Sequence, residues 1–294
     1  MYGDSSEKLF LYIHGKMGRK EEAAHLAEIV CPEGYQVLSI DLPGHGERTG
    51  EMERFVPWEA VPELQAVCEF ARQRWKKIRL YANSIGAYFS LLAFREVKLE
   101  KSLFVSPILD MEKLIQKMMG WEGVTREQLQ QAGEIPTAFG ETLSWKYLTY
   151  AAEHWITKWD SPTAILYAGQ DHLTARETVR DFAQRFGCTV TVMENGEHWF
   201  HTEEQLAVLD AWLRRECDKP VLAPDFEKGL LDERRQPFLT ILFNKILYGF
   251  PVALKTVPLD GLFAGHPGIG YLPEGLPGIH IGDVYLHSRD GHRL

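Results

Sequence analysis

Short apolar runs alternate with longer stretches of helical spacing through the first two thirds of the chain. Residues 8–13, 35–40, 78–81, 101–105, 164–168 and 190–193 are compact apolar runs of strand length, bounded by Gly, Pro, Asn or Asp. Between them, residues 20–30 and 57–75 carry apolar positions at helical intervals; in the second these are Leu64, Val67, Cys68, Ala71 and Trp75. Residues 87–94 read as a buried helix. Residues 202–215 read as a helix with Leu206, Leu209, Trp212 and Leu213 on one side. Strands alternating with helices of this length predict βαβ units, a mostly parallel sheet and the α/β class.

The alternation stops twice. Residues 108–158 read as helix-like and are rich in Met, Trp and Tyr, with no strand signal between them. Residues 218–294 differ again: they hold eight of the 15 prolines and ten of the 25 glycines, begin on a linker-like 218–224, and contain one strongly apolar stretch at 238–250. Two parts are therefore expected: an α/β domain over 1–217 with an insertion at 108–158, and an extension over 218–294 whose role no motif specifies.

Composition narrows the function classes. The chain is 45% hydrophobic and 25% charged, an ordinary globular balance, and 217 residues suffice for one large core. A net charge of −9 argues against nucleic-acid or anionic-membrane partners, which favour basic surfaces. No run of about 18 apolar residues is present, so no membrane span is expected. The apolar 9–13 is too short for a signal-peptide core, and a cytoplasmic location is expected. The four cysteines, Cys31, Cys68, Cys188 and Cys217, form no C-x-x-C pair and predict free thiols. Histidines 266, 280, 287 and 292 lack ligand spacing, so neither a metal nor a cofactor is expected.

The candidate chemistry lies at the ends of the predicted strands. Tyr81-Ala82-Asn83-Ser84-Ile85-Gly86-Ala87 places a serine between a strand and a helix, with small residues two before and two after. This is the nucleophile-elbow pattern, with Ala82 in the place of the first glycine. Its tight turn exposes the hydroxyl and turns the Ile85 N–H toward an oxyanion. His14-Gly15-Lys16-Met17-Gly18 follows the first strand. Asp171 ends the strand-like 164–168 and its short Gly-Gln turn. His198 follows the last strand through Glu194-Asn195-Gly196-Glu197. Each has a plainer alternative. Ser84 can be an ordinary turn serine. Asp171 can cap a helix beginning near Leu173. His201, three residues beyond His198, competes for the base, and His172, beside Asp171, reads as structural. His14 and His45 read as organisers of their glycine-rich loops.

The order Ser84, Asp171, His198, together with His14-Gly15 after the first strand and the D-x-P-G-x-G loop Asp41-Leu42-Pro43-Gly44-His45-Gly46, resembles the α/β-hydrolase family over about residues 8–217. Within it the chain is similar to a group of small bacterial hydrolases with a short helical cap. The resemblance implies an α/β-hydrolase fold with a mostly parallel central sheet, a helical cap formed by 108–158, and a Gly/Pro-rich C-terminal extension. It implies Ser84 as nucleophile, His198 as base, Asp171 as its orienting acid, and the backbone N–H groups of Lys16 and Ile85 as the oxyanion hole. It places the insertion over the sheet's C-terminal edge, where Met111, Met118, Trp121 and Trp145 are expected to offer an apolar acyl-binding surface. The implied reaction is hydrolysis of a small-molecule acyl ester without a cofactor. Thioester or amide hydrolysis, acyl transfer, and a non-catalytic binding or interaction module stay open, as does the oligomeric state.

Overall fold

A computed structural model describes residues 1–218; the 218–294 extension expected from the sequence lies outside the described residues beyond its first position. Eight strands and eight α-helices follow in chain order: β1 Lys8–Ile13, α1 Ala23–Val30, β2 Gln36–Ser39, α2 Pro57–Arg72, β3 Lys77–Asn83, α3 Ser84–Ala93, β4 Lys101–Val105, α4 Met111–Glu122, α5 Arg126–Ala132, β5 Glu134–Pro136, β6 Thr142–Ser144, α6 Trp145–Glu153, β7 Thr163–Ala168, α7 Arg176–Phe186, β8 Thr189–Met193 and α8 Glu203–Asp218. Six of the strands form one sheet in the order β2-β1-β3-β4-β7-β8, and every pairing in it is parallel.

The strand period of two divides the core. Leu9, Leu11 and Ile13 of β1, and Ile78, Leu80 and Ala82 of β3, face α2, α3 and α7. Phe10 and Tyr12 of β1, with Tyr81 of β3, face α1 and α8, where Trp212 and Leu213 close the layer. Successive side chains alternate across a strand, so a strand buried on both faces reads as one continuous apolar run. Phe10, Leu11, Leu80 and Ala82 are each 0% exposed, which is why the sequence shows runs rather than alternation.

The strand order sets where the site must be. From β1 the chain winds to β2 on one side, then crosses to β3 on the other. The loops after β1 and β3 therefore part at a topological switch point, where open α/β sheets bind ligands. Those loops carry His14-Gly15-Lys16 and Ser84. The loops after β7 and β8 carry Asp171 and His198.

Two local expectations change. The 108–158 insertion is not wholly helical: β5 and β6 form an antiparallel hairpin between α5 and α6, pairing Ile135 with Leu143. Its strands are three residues long, the first ending on Pro136, and enclose a turn that contains Gly140, too short to leave a period. No helix begins at Leu173; α7 starts at Arg176, because the Asp171 carboxylate takes the 173 and 174 amides into a tight turn instead. No helix among the described residues is long and apolar enough to cross a membrane.

Candidate active site

Ser84 is the first residue of α3 and sits at φ 49°, a left-handed conformation that costs a non-glycine residue energy. The elbow is possible because Gly86 carries no side chain: a Cβ there would lie 2.3 Å from the His14 carbonyl oxygen. Gly15 makes the reciprocal approach, with a Cβ position 3.1 Å from the Ser84 Cβ. The loop after β1 is thus pressed against the elbow; the Gly86 contact requires glycine for space, and the Gly15 contact is tight.

The structure brings Ser84, His198 and Asp171 together across more than a hundred residues of sequence. Ser84 Oγ lies 2.9 Å from His198 Nε2. His198 Nδ1 lies 2.7 Å from Asp171 Oδ2, whose carboxylate is fully buried. A carboxylate only accepts, so Nδ1 carries the proton and donates to Asp171, leaving Nε2 to accept from the Ser84 hydroxyl. The other Asp171 oxygen accepts from the N–H groups of Leu173 at 2.7 Å and Thr174 at 3.1 Å. One Asp171 oxygen therefore closes a tight turn rather than capping a helix, and the other meets His198. Backbone bonds register the two loops: Gly169 N–H donates to Met193 O and Gln170 N–H to Gly196 O. His201 turns away, its Nδ1 2.8 Å from the Trp199 carbonyl.

Ile85 stands in the first turn of α3, where amides have no intrahelical acceptor. Lys16 lies in the loop packed on the elbow, and among the described residues no protein acceptor takes either N–H. The Lys16 ammonium pairs with Glu141 in the turn between β5 and β6, so the insertion is tied by an ion pair to the loop after β1.

Two neutral imidazoles hold that loop in place. His14 donates from Nδ1 to Gly15 O at 2.7 Å and accepts at Nε2 from Leu42 N–H at 3.0 Å. His45 donates from Nδ1 to Pro43 O at 2.8 Å and accepts from Met17 N–H at 2.9 Å. Protonating either Nε2 would set a donor against a donor. Burial lowers the His14 pKa to about 4, and burial likewise lowers that of His45. An unfolded histidine titrates near 6.5, so below that pH the unfolded chain binds the proton that the folded His14 refuses. Stability from this group is complete above pH 6.5 and is lost as pH falls toward 4. The expected loss is about 3 kcal/mol at the lower end. Urea midpoints between pH 7 and 4.5 read it directly; His14→Gln, which keeps one donor and one acceptor, has the flatter pH dependence.

The four insertion residues expected to contact substrate are placed differently from one another. Met111 opens α4 and is buried in the core, while Met118 is partly buried against it. Trp145 opens α6 with the Arg126 guanidinium 5.1 Å above its ring. Trp121 is 42% exposed and lies in an aromatic series that reaches the site. Its ring centroid is 5.7 Å from Phe139 and 6.3 Å from His172, and His172 is 6.4 Å from His198. Phe139 and Glu141 escaped the sequence reading because both belong to the unrecognised hairpin turn, while His172, read from the sequence as structural, lies between Trp121 and His198. Among the described residues no group of three or more His, Cys, Asp or Glu side chains is arranged to hold a metal ion.

A family model described as serine aminopeptidase, S33, matches residues 4–154, and one described as alpha/beta hydrolase fold matches residues 116–205. Human Protein ABHD14A is 24% identical over 188 residues, covering 63% of this chain and 55% of its own length. The chain therefore spans about half the length of that relative. Est1E from Butyrivibrio proteoclasticus, solved with ferulic acid bound, superposes with a TM-score of 0.59 at 20% identity, covering 71% of this chain and 88% of that one. Alpha/beta hydrolase domain-containing protein 10 from mouse gives 0.62 at 14% identity, covering 74% and 92%. At such identities the likeness to these structures is one of fold.

Proposed function

The chain belongs to the α/β hydrolases, in the family described as serine aminopeptidase, S33, and from that premise we propose that it is a serine hydrolase cleaving carboxylic esters of small or medium acyl groups. The observation that carries the reading is the continuous relay of 2.9 and 2.7 Å from Ser84 through His198 to Asp171, mounted on a strained turn. A merely structural serine has no need of a strained left-handed turn, and a ligand-binding module has no need of all three groups in hydrogen-bond register.

In this mechanism Ser84 Oγ attacks the acyl carbonyl while its proton passes to His198 Nε2. Asp171 holds the imidazole's tautomer and stabilises the imidazolium without taking the proton itself. The N–H groups of Lys16 and Ile85 receive the charge developing on the carbonyl oxygen, and losing one such donor typically costs about 10²–10³ in kcat. The imidazolium returns its proton to the departing alkoxide as the bond from the acyl carbon to it breaks, so an alcohol leaves and the acyl group stays on Ser84 Oγ. Water then attacks the acyl-enzyme with His198 again as base, releasing the carboxylic acid and restoring the serine. The relay serves thioesters and amides equally, and the family's aminopeptidase description makes an amide series the natural companion to the ester series.

Fluorophosphonate labelling with peptide mapping tests the reading. The expected result is a single adduct on Ser84, absent in His198→Ala and retained in His201→Ala. A folded protein that takes no label, or one labelled elsewhere, overturns it.

A further inference from the structure

Thr174, in the loop between β7 and α7, is 5% exposed, and each of its polar groups has a partner. Its N–H donates to Asp171 Oδ1 at 3.1 Å, and its carbonyl accepts from the Tyr167 hydroxyl at 2.9 Å. Its hydroxyl donates to the Pro107 carbonyl at 2.9 Å, 67 residues away in sequence. The turn around Asp171 needs only the first of these bonds. The hydroxyl bond leaves the loop altogether and reaches the segment that follows β4.

That segment is tied in turn to the proposed nucleophile. Ile108 donates its N–H to the Ser84 carbonyl at 3.0 Å. The Pro107 C=O and the Ile108 N–H are the two ends of one peptide unit, which resonance keeps planar and which is trans here. The two ends of such a unit point in opposite directions, so one rigid group spans from the elbow to Thr174. The chain is bent to aim it. Ser106, just before this unit, is 1% exposed and sits at φ 42°, a left-handed conformation that a residue with a side chain keeps only where its surroundings impose it.

The bonds close a circuit. It runs from Ser84 Oγ to His198, to Asp171, through Thr174, across the Pro107–Ile108 peptide and back to the Ser84 carbonyl. The elbow and the acid loop end strands that are not neighbours, since β4 lies between β3 and β7. The segment after β4 bridges them, and Thr174 is where the bridge lands. We propose that Thr174 is a positioning residue for the reaction, its hydroxyl fixing the spacing between Asp171 and the Ser84 elbow so that His198 is held from both sides. The catalytic consequence rests on the reading of Ser84 as nucleophile; the circuit itself does not.

Thr174→Val and Thr174→Ser divide the side chain. Valine keeps the methyl group and the shape and loses the hydroxyl; serine does the reverse. A misplacement of about 1 Å can cost about 10² in rate, so Thr174→Val is expected to lower kcat for a 4-nitrophenyl ester by about 10–10² with KM little changed. Thr174→Ala, which adds no bulk, follows valine, and Thr174→Ser stays within about threefold of the parent. A packing role for the methyl group would reverse that order. The loss should also vanish where the relay is already broken: Asp171→Asn with Thr174→Val is expected within about threefold of Asp171→Asn alone, because groups acting through one another are not additive. A Thr174→Val variant with parental kcat, a serine variant as slow as the valine one, or an equal loss in both backgrounds overturns the proposal.

Proton NMR reads the circuit without turnover. The downfield resonance of the proton between His198 Nδ1 and Asp171 is expected in the parent and in Thr174→Ser, and shifted or lost to exchange in Thr174→Val. An unchanged resonance in the valine variant overturns the proposal. A parent that takes no fluorophosphonate, with a resonance that still moves in Thr174→Val, leaves the circuit standing and sinks the hydrolase reading.

Discussion

Ser84→Ala lowers kcat for a short-chain 4-nitrophenyl ester by at least about 10⁴, to the level set by the remaining binding and oxyanion groups. Removal of a triad serine elsewhere costs on the order of 10⁶, and the residue of rate over water comes from groups that stay in place. The fold is expected to tolerate the change. Alanine adopts the 49° backbone angle at about the same cost as serine, and one hydrogen bond to a partly exposed imidazole is lost. Ser84→Gly separates the two properties. It is equally inactive, but it relieves the left-handed strain and should be more stable than Ser84→Ala by about 1 kcal/mol. Steady-state turnover and urea denaturation of the two variants make the comparison. Turnover in Ser84→Ala within tenfold of the parent would sink the mechanism.

Asp171→Asn is expected to cost about 10⁴ in kcat with the geometry nearly intact, the size of effect seen when a triad carboxylate becomes an amide. The cause is the tautomer. An asparagine presents either its oxygen or its NH₂ to His198. With the NH₂ there, the imidazole proton moves to Nε2 and faces the serine hydroxyl with a donor. The other Asp171 oxygen accepts two amides, from Leu173 and Thr174, so the asparagine oxygen is drawn to that side and the NH₂ to the histidine. The same two bonds make Asp171→Ala a different experiment, because it also undoes the turn before α7. Loss of kcat with near-parental Tm in the asparagine variant, and loss of both in the alanine variant, is the expected pair. An asparagine variant of near-parental kcat would show that His198 needs no orienting carboxylate.

The fold was legible because its strands are buried on both faces. A strand such as Phe10-Leu11-Tyr12-Ile13 has no polar side to confuse the pattern. The meeting of Ser84, Asp171 and His198 was legible because each follows an apolar run by no more than five residues, in a loop at the same end of a parallel strand. The insertion was harder. Its hairpin strands carry three residues each, and what orders them is tertiary: Trp145 N–H on Gly133 O, and Glu141 on Lys16. Neither contact has a sequence signature.

If Ser84 is the nucleophile proposed, the parallel sheet also fixes when the chain becomes reactive. Chains are synthesised from the N-terminus, and parallel strands pair only after a crossover has been made. Ser84 leaves the ribosome early, but its imidazole follows β8, which among the described residues pairs only with β7 at the edge of the sheet. For more than a hundred residues of synthesis the serine is an ordinary alcohol. A chain stalled before β8, or misfolded with that edge unpaired, exposes no activated nucleophile to the acyl esters and thioesters around it. On the proposed mechanism, fluorophosphonate reactivity at Ser84 therefore reports that β8 has docked on β7.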